Sequence, residues 1–355
     1  MTRVEQLIKN ASLDSSKGIM IHNPSNMFYI AGYRGEGLLL ITSSGSALVT
    51  DSRYTEQGLQ ETKGFEVLTI TNEKNHIALA YEFLSAHGIK EIAYEDNYLT
   101  VQVFQEYQAT FQGISFSSAG TWLEEMREIK DQREIEKITN ACQITSQAFD
   151  YILSQIKEGI SEKELALELE YYMLKNGASE LAFSTIVASG ENSALPHAIP
   201  GNRKLSKGDL ITFDFGAKVD GYCSDMTRTV ALGKPSDELY TIYHIVLEAQ
   251  KLGEEALLPG ASCKGVDAVS RDFIASKGYG DYFGHGLGHS LGIDIHESPR
   301  LSPLSQGILK ENQLMTVEPG IYLPGKGGVR IENTCLVTKE GAKPLTTPSK
   351  ELFIL

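Results

Sequence analysis

The chain has 355 residues, more than one hydrophobic core usually organises, so two domains are expected. With 41% hydrophobic and 22% charged residues it has ordinary globular composition; its net charge of −14, without any basic stretch, argues against nucleic acid as a partner. No apolar run is long enough to span a bilayer, the start MTRVEQLIKN is amphipathic rather than signal-like, and Cys142, Cys223, Cys263 and Cys335 form no C-x-x-C pair; these features point to a reduced cytoplasmic protein with no membrane partner.

Short apolar runs and helical stretches alternate in the first third of the chain. Strands are expected at Gly18–His22, Leu38–Thr42, Ala47–Thr50, Glu66–Ile70, Glu91–Tyr94 and Ile114–Ser117, and helices at Asn75–His87 and Val101–Thr110. Ser43-Ser44-Gly45 reads as a hairpin turn. This rhythm predicts an α/β domain with a mixed sheet over residues 1–124. The segment 31–37 is glycine-rich, with Tyr33, Arg34 and Glu36 expected at its exposed surface.

From Met126 to Lys157 apolar residues recur at helical spacing without Pro or Gly, which predicts one long helix opening a second, α+β domain over 125–355. Ser161 and Glu164 fit a capping box for the next helix, stopped by Gly177. Further helices are expected near Glu238–Ala256 and Val266–Lys277.

Residues 211–230, ITFDFGAKVDGYCSDMTRTV, carry the most specific local signal. Asp220-Gly221 suits a two-residue type I′ turn, which sets Val219 opposite Tyr222 and Gly216 opposite Asp225. Asp214 then shares a sheet face with Asp225, with Cβ atoms roughly 7 Å or less apart. Two solvated aspartates on a surface hairpin would look the same. If the pair is buried, however, its repulsion costs several kcal/mol unless cations lie between the carboxylates.

Three of the eight histidines, His285, His289 and His296, fall in GHGLGHSLGIDIHE (284–297). The glycines make this a poor helix, and no Glu follows His285, so the H-E-x-x-H zinc motif is absent. The glycines suit backbone brought close to a metal or substrate. Farther on, MTVEPGIYL and GGVRIENTCLV read as two strands joined by a turn at Pro324–Gly328. Glu318 lies at the end of the first, and Arg330 and Glu332 share a face of the second. Taken alone, Arg330 and Glu332 could be an ordinary surface pair. Oxygen-rich ligation with one imidazole suits Mn²⁺ or Co²⁺ better than a thiolate zinc site.

Taken together, DFG…D-x-T-R-T, HGxGHxxGxxxHE, EPG and GGVRIEN resemble the pita-bread metallopeptidases, in the branch of Xaa-Pro dipeptidase (prolidase) and Xaa-Pro aminopeptidase (aminopeptidase P). The resemblance implies a creatinase/prolidase-like α/β N-terminal domain before a pita-bread catalytic domain. It implies two divalent metal ions, Mn²⁺ first with Co²⁺ or Zn²⁺ as alternatives, held by Asp214, Asp225, His289, Glu318 and Glu332. His285 would steady the scissile carbonyl, and Glu318 would move the proton. His197, in the P-H-x-x-P segment, and His296 would line the substrate site, and Arg330 would support the carboxylates and the substrate. The implied substrate is a peptide with proline in second place, and the implied assembly a homodimer. The 31–37 loop is then either a mobile tip or a segment reaching a partner's cleft. Three alternatives stay open: a methionine aminopeptidase-like enzyme, a creatinase-like enzyme, and an inactive binding homologue.

Overall fold

The structure, a computed structural model, describes all 355 residues and divides into Met1–Arg127 and Glu128–Leu355. The division expected at 124/125 falls at 127/128.

The first unit runs α1 (Arg3–Asn10), β1 (Lys17–Ile21), α2 (Pro24–Ala31), β2 (Leu38–Thr42), β3 (Ser46–Thr50), α3 (Thr55–Glu61), β4 (Glu66–Thr69), α4 (His76–Ala86), β5 (Glu91–Tyr94), α5 (Val101–Thr110) and β6 (Ser115–Ser118). Its strands form one mixed sheet in the order β4-β3-β2-β1-β5-β6. The tight Ser43–Gly45 turn makes β2 and β3 antiparallel, whereas α3 and α5 serve as crossovers for the parallel pairs β3/β4 and β5/β6. Every residue of β2 is buried, as its unbroken apolar run requires. Helices α1, α2 and α3 were not among the expected elements, being only seven or eight residues long, too few turns to display a period.

One expectation here is overturned. Tyr33 is not exposed: its ring is fully buried, and its hydroxyl donates to the Glu36 carbonyl at 2.9 Å and lies 3.1 Å from Thr50 Oγ1. Arg34 and Glu36 do reach the surface, where Glu36 pairs with Arg53 at 3.0 Å. An aromatic ring among glycines gives no period from which to read burial.

The long helix expected over Met126–Lys157 is in fact two, α6 (Trp122–Glu128) and α7 (Gln132–Leu153). Asp131 caps α7 by accepting the Glu134 N–H at 2.9 Å, and Glu134 returns the bond to the Asp131 N–H at 3.0 Å. This Asp-x-x-Glu box starts a helix inside a stretch that apolar spacing alone reads as continuous. Ser161 caps α8 (Glu162–Lys175) as its motif predicts.

The second unit continues with β7 (Glu180–Leu181), β8 (Ile186–Ser189), β9 (Leu210–Phe215), β10 (Ala217–Val219), β11 (Tyr222–Cys223), β12 (Met226–Ala231), α9 (Asp237–Glu255), α10 (Cys263–Ser276), β13 (Gly288–Ser290), β14 (Glu297–Leu301), β15 (Leu314–Val317), β16 (Gly320–Leu323), β17 (Gly327–Arg330), β18 (Asn333–Thr338) and β19 (Gly341–Pro344). It has two apolar cores. Phe149 of α7 and Leu165 of α8 pack with Phe213, Phe215 and Met226 of β9 and β12. Val246 of α9 and Ile274 of α10 pack with Met315, Val317 and Cys335 of β15 and β18. The remaining faces of these strands are free to carry polar residues.

All four cysteines are buried and free, and no helix is long and apolar enough to cross a membrane.

Candidate metal centre

Three of the four carboxylates, Asp225, Glu318 and Glu332, sit where two hairpins are interrupted, and Asp214 lies in the paired strand beside the first break. In the first, Val219 faces Tyr222 and Lys218 faces Cys223, and the same register resumes with Phe215 opposite Met226 and Asp214 opposite Thr227. The loop is therefore the expected two residues, Asp220 and Gly221, with positive φ at both (50° and 84°). Between the two paired stretches lie Gly216 and Asp225, opposite one another. A Cβ on Gly216 would stand 2.0 Å from the Ser224 carbonyl oxygen, so the strands close there only without a side chain.

The second hairpin repeats the device. Leu314–Val317 pairs with Asn333–Leu336, and Gly320–Leu323 with Gly327–Arg330, in one continuous register. Its turn is Pro324–Lys326, shorter than expected, because Gly327 and Gly328 already belong to β17. Glu318 and Glu332 occupy the unpaired positions between the two stretches. Their amides bond elsewhere: Glu318 N–H to the Leu287 carbonyl at 2.8 Å and Glu332 N–H to the Thr227 carbonyl at 3.0 Å. The latter bond ties one hairpin to the other and brings the acids together.

Asp214, Asp225, Glu318, Glu332, His197, His285, His289, His296 and Arg330 all line one cleft of about 550 Å³. The structure therefore gathers the nine residues that the resemblance assigned to the site. Asp225, His289 and Glu332 present ligand-type atoms within 4.8 Å of one another. Glu332 and Arg330 are almost fully buried (1% and 4% exposed), which rules out the surface-pair reading. His197 and His296 are exposed at the cleft wall, and the His296 ring lies 4.5 Å from that of His289.

Charge balance in the cleft calls for cations. Arg330 pairs with Asp214 at 2.6 Å, and the exposed Arg300 also lines the cleft, but two guanidiniums face four acids. Burial, then the neighbouring carboxylates Glu332, Asp214 and Glu318, pushes the Asp225 carboxyl well above its ordinary range. Burial and the same kind of repulsion raise Glu332, and burial raises Glu318 to about 8. Asp214 Oδ1 and Glu332 Oε1 are buried without a hydrogen-bond partner.

The imidazole of His289 makes the same demand. Its Nδ1 lies 3.1 Å from the Ser290 carbonyl, which can only accept, so Nδ1 carries the hydrogen. Burial lowers its pKa to about 3, leaving Nε2 a bare lone pair. That lone pair faces Glu318 Oε1 at 3.4 Å and Asp225 Oδ2 at 3.6 Å. A lone pair aimed at two carboxylate oxygens suits a shared cation between them, and a backbone carbonyl holding the other ring nitrogen is the usual arrangement for a ligating histidine. The residues present fit a divalent-metal centre.

Several supporting residues gave no sequence signal. Thr227 donates to Glu332 Oε2 at 2.7 Å and accepts from Arg330 Nε at 3.2 Å. Tyr322 accepts from Arg330 at 2.9 Å and lies 2.8 Å from His285 Nε2. His285 Nδ1 donates to the Gly286 carbonyl at 2.8 Å, and burial holds the ring neutral with a pKa near 4, so Nε2 is the acceptor and Tyr322 the donor. Lys130, buried, bonds Ser290 Oγ and Glu297 Oε2, both at 3.1 Å, beside His289 and His296. The D-x-T-R-T spelling could have flagged Thr227, and Tyr322 stands in MTVEPGIYL, though nothing there marks its hydroxyl; Lys130 is remote from the motif it supports. Two of the four glycines in 284–292 admit neighbouring backbone: a Cβ on Gly288 would lie 2.0 Å from the Thr316 carbonyl oxygen and one on Gly286 2.8 Å from that of Leu301.

Residues 136–339 match the model of metallopeptidase family M24. The chain belongs to that family. Residues 3–129 of this M24 peptidase match the creatinase/prolidase N-terminal domain. The M24 chain is 39% identical over 353 residues to a Pyrococcus furiosus Xaa-Pro dipeptidase, covering 99% of each. An Xaa-Pro dipeptidase from Bacillus anthracis superposes with a TM-score of 0.95 at 40% identity, with 99% of each chain covered. An X-Pro aminopeptidase from Thermotoga maritima gives 0.91 at 40% identity, covering 99% of this chain and 100% of its own. The fold is thus the pita-bread architecture behind a creatinase-type N-terminal domain, and the family implies divalent metal ions.

Proposed function

We infer that the cleft hydrolyses the bond between an N-terminal residue and a following proline, and that its metals are held by Asp214, Asp225, His289, Glu318 and Glu332. The observation that carries this reading is the lone pair of His289 and four carboxylates converging in one buried cleft. Two divalent cations, when bound, supply polarisation of the scissile carbonyl and a more acidic attacking water. Mn²⁺ is the proposed occupant, on the oxygen-rich donor set.

The chain's own groups do the rest. Glu318, which lines the cleft beside His289, accepts a proton from the attacking water and passes it to the leaving imino nitrogen. Arg330 fixes Asp214 and, through Tyr322, His285. In the proposed role His285 meets the scissile carbonyl, which needs an N–H at Nε2; the ring therefore gains a proton there, or moves its hydrogen from Nδ1 and releases Gly286, as the Tyr322 hydroxyl gives up its bond to Nε2. His197 and His296 stand exposed on the walls to contact the substrate. Proline has no N–H, so a pocket of this size can select it by shape where other peptidases require that donor. A cytoplasmic homodimer is the proposed setting.

The test is a hydrolysis assay with added Mn²⁺, comparing an Xaa-Pro dipeptide, an Xaa-Pro-Xaa tripeptide and a control peptide with alanine in second place. Turnover of either proline peptide, with the alanine peptide untouched, is expected. Release of N-terminal methionine without regard to proline would favour the methionine-aminopeptidase reading. Absence of metal would favour an inactive homologue.

A further inference from the structure

The wall segment that carries His197 leaves β8 at Ser189 and returns toward α8 at Gly201, and both of its ends meet one buried side chain. Glu162, the first residue of α8, is 0% exposed. Its Oε1 accepts the Ser189 N–H at 2.8 Å, the Ser189 hydroxyl at 2.8 Å and Asn192 Nδ2 at 3.1 Å. Its Oε2 accepts Asn192 Nδ2 at 3.2 Å and the Gly201 N–H at 3.2 Å. One carboxylate thus binds the start, the first turn and the end of the segment.

Between those anchor points, Pro196, His197, Ala198, Ile199 and Pro200 line the cleft. The tip is loosely covered, with Ile199 87% exposed and Leu195 59% exposed. Within residues 195–200 only Ala198 is buried, so the tip has little packing of its own and its position depends on its stems. The stems are tied further: Lys163 N–H bonds the Gly201 carbonyl at 3.0 Å, and Arg203, paired with Asp209 at 2.6 Å, donates to Ser189 Oγ at 2.7 Å. Ser193 Oγ accepts the Gly328 N–H at 2.8 Å, which registers the segment on β17, the strand that ends at Arg330.

Burying a carboxylate is costly unless its lone pairs are filled by donors. Glu162 meets that condition, and it lies at a helix N-terminus, where the macrodipole favours negative charge. Every side-chain bond it makes goes to the 189–201 segment.

We propose that Glu162 is a positioning residue for substrate recognition, holding the 189–201 lip so that His197 and the apolar residues around it stand against the bound peptide. The proposal rests on the Xaa-Pro reading for the identity of the peptide. It assigns Glu162 no contact with substrate and no part in metal binding.

The test uses the full-length, metal-loaded protein and the variants Glu162→Gln and Asn192→Ala. Gln keeps the shape but turns one acceptor into a donor that faces donors; Asn192→Ala removes a single strand of the clamp and leaves Glu162 bonded to both stems. With an Xaa-Pro dipeptide, KM should rise ~10-fold in Glu162→Gln and less in Asn192→Ala, with kcat within about two-fold of the parent, because a misplaced wall weakens binding before it alters the reacting groups. Metal content should be unchanged, and hydrogen–deuterium exchange should quicken in residues 190–201 of both variants. Unchanged KM together with a lowered melting temperature would reduce Glu162 to a structural role. A fall in kcat with metal loss would move its influence to the metal centre; either result overturns the proposal. If Glu162→Gln does not fold, Asn192→Ala decides by the same readouts. A parent protein inactive on every Xaa-Pro peptide would refute the Xaa-Pro reading alone; the exchange measurement needs no substrate, and unaltered exchange in 190–201 would overturn the clamp.

Discussion

At the scale of single residues, the most informative atoms are those with nothing to bond. Glu332 Oε1 and Asp214 Oδ1 are buried and unpartnered, and His289 Nε2 points its lone pair at carboxylates. In a low-dielectric pocket each of these is costly without a cation. Glu332 lies at the meeting point of the two hairpins, with its backbone N–H and one carboxylate oxygen both bonded to Thr227. Replacing it with Ala should abolish turnover and release at least one ion, since the remaining acids cannot hold two dications together. Metal analysis of the purified variant checks this. An inactive Glu332→Ala protein that retains its full metal complement would remove Glu332 from the ligand set.

At the scale of elements, local chemistry decides where elements begin and stop. The Asp131–Glu134 box cuts the long helical pattern at a point that periodicity passes over. An N-cap of this type contributes about 1 kcal/mol, so Asp131→Ala should lower unfolding stability by roughly that amount, and Asp131→Asn by less, because Asn also caps well. Chemical denaturation of the three proteins measures the order. Equal losses in Ala and Asn would show that the charge or another contact of Asp131, not the cap, is what matters. The same scale accounts for the interrupted hairpins. Glu318 and Glu332 leave the ladder where the backbone amides take partners outside their own hairpin, and the freed side chains turn into the cleft.

At the scale of the whole molecule, the two hairpins come from strands in different sheets with different apolar cores. Such a centre should be rigid, because each hairpin is backed by its own pair of helices. The proposed homodimer belongs to this scale as well. Arg34 is exposed, its guanidinium 4.8 Å from the centre of the Phe28 ring, and its backbone N–H bonds Glu61 at 3.0 Å. If this loop of one copy serves the cleft of another, Arg34 meets the free carboxylate of a short substrate in the bidentate manner of guanidinium. Arg34→Ala should then raise KM for a dipeptide much more than for a tripeptide, and the active species should sediment as a dimer. Equal effects on both substrates, or full activity in a sedimenting monomer, would reject the role.

The sequence by itself determined the chemistry and the local geometry. Turn residues such as Asp220-Gly221 dictate strand register within a hairpin, so the shared face of Asp214 and Asp225 was legible before any fold was known. Capping boxes announce helix starts, though the one at Asp131 went unread within the longer pattern, and the motif residues converge as their family resemblance implies. Burial and remote support were decided only by the tertiary structure. Tyr33 is buried with its hydroxyl against Thr50 of β3, 17 residues on, and no local pattern encodes that contact. Tyr322, Lys130 and Glu162 act through partners 8 to 167 residues away in the chain. Local turns and caps are short-range interactions written in adjacent residues, whereas the polar shell around the cleft depends on which strands and loops the two cores press together.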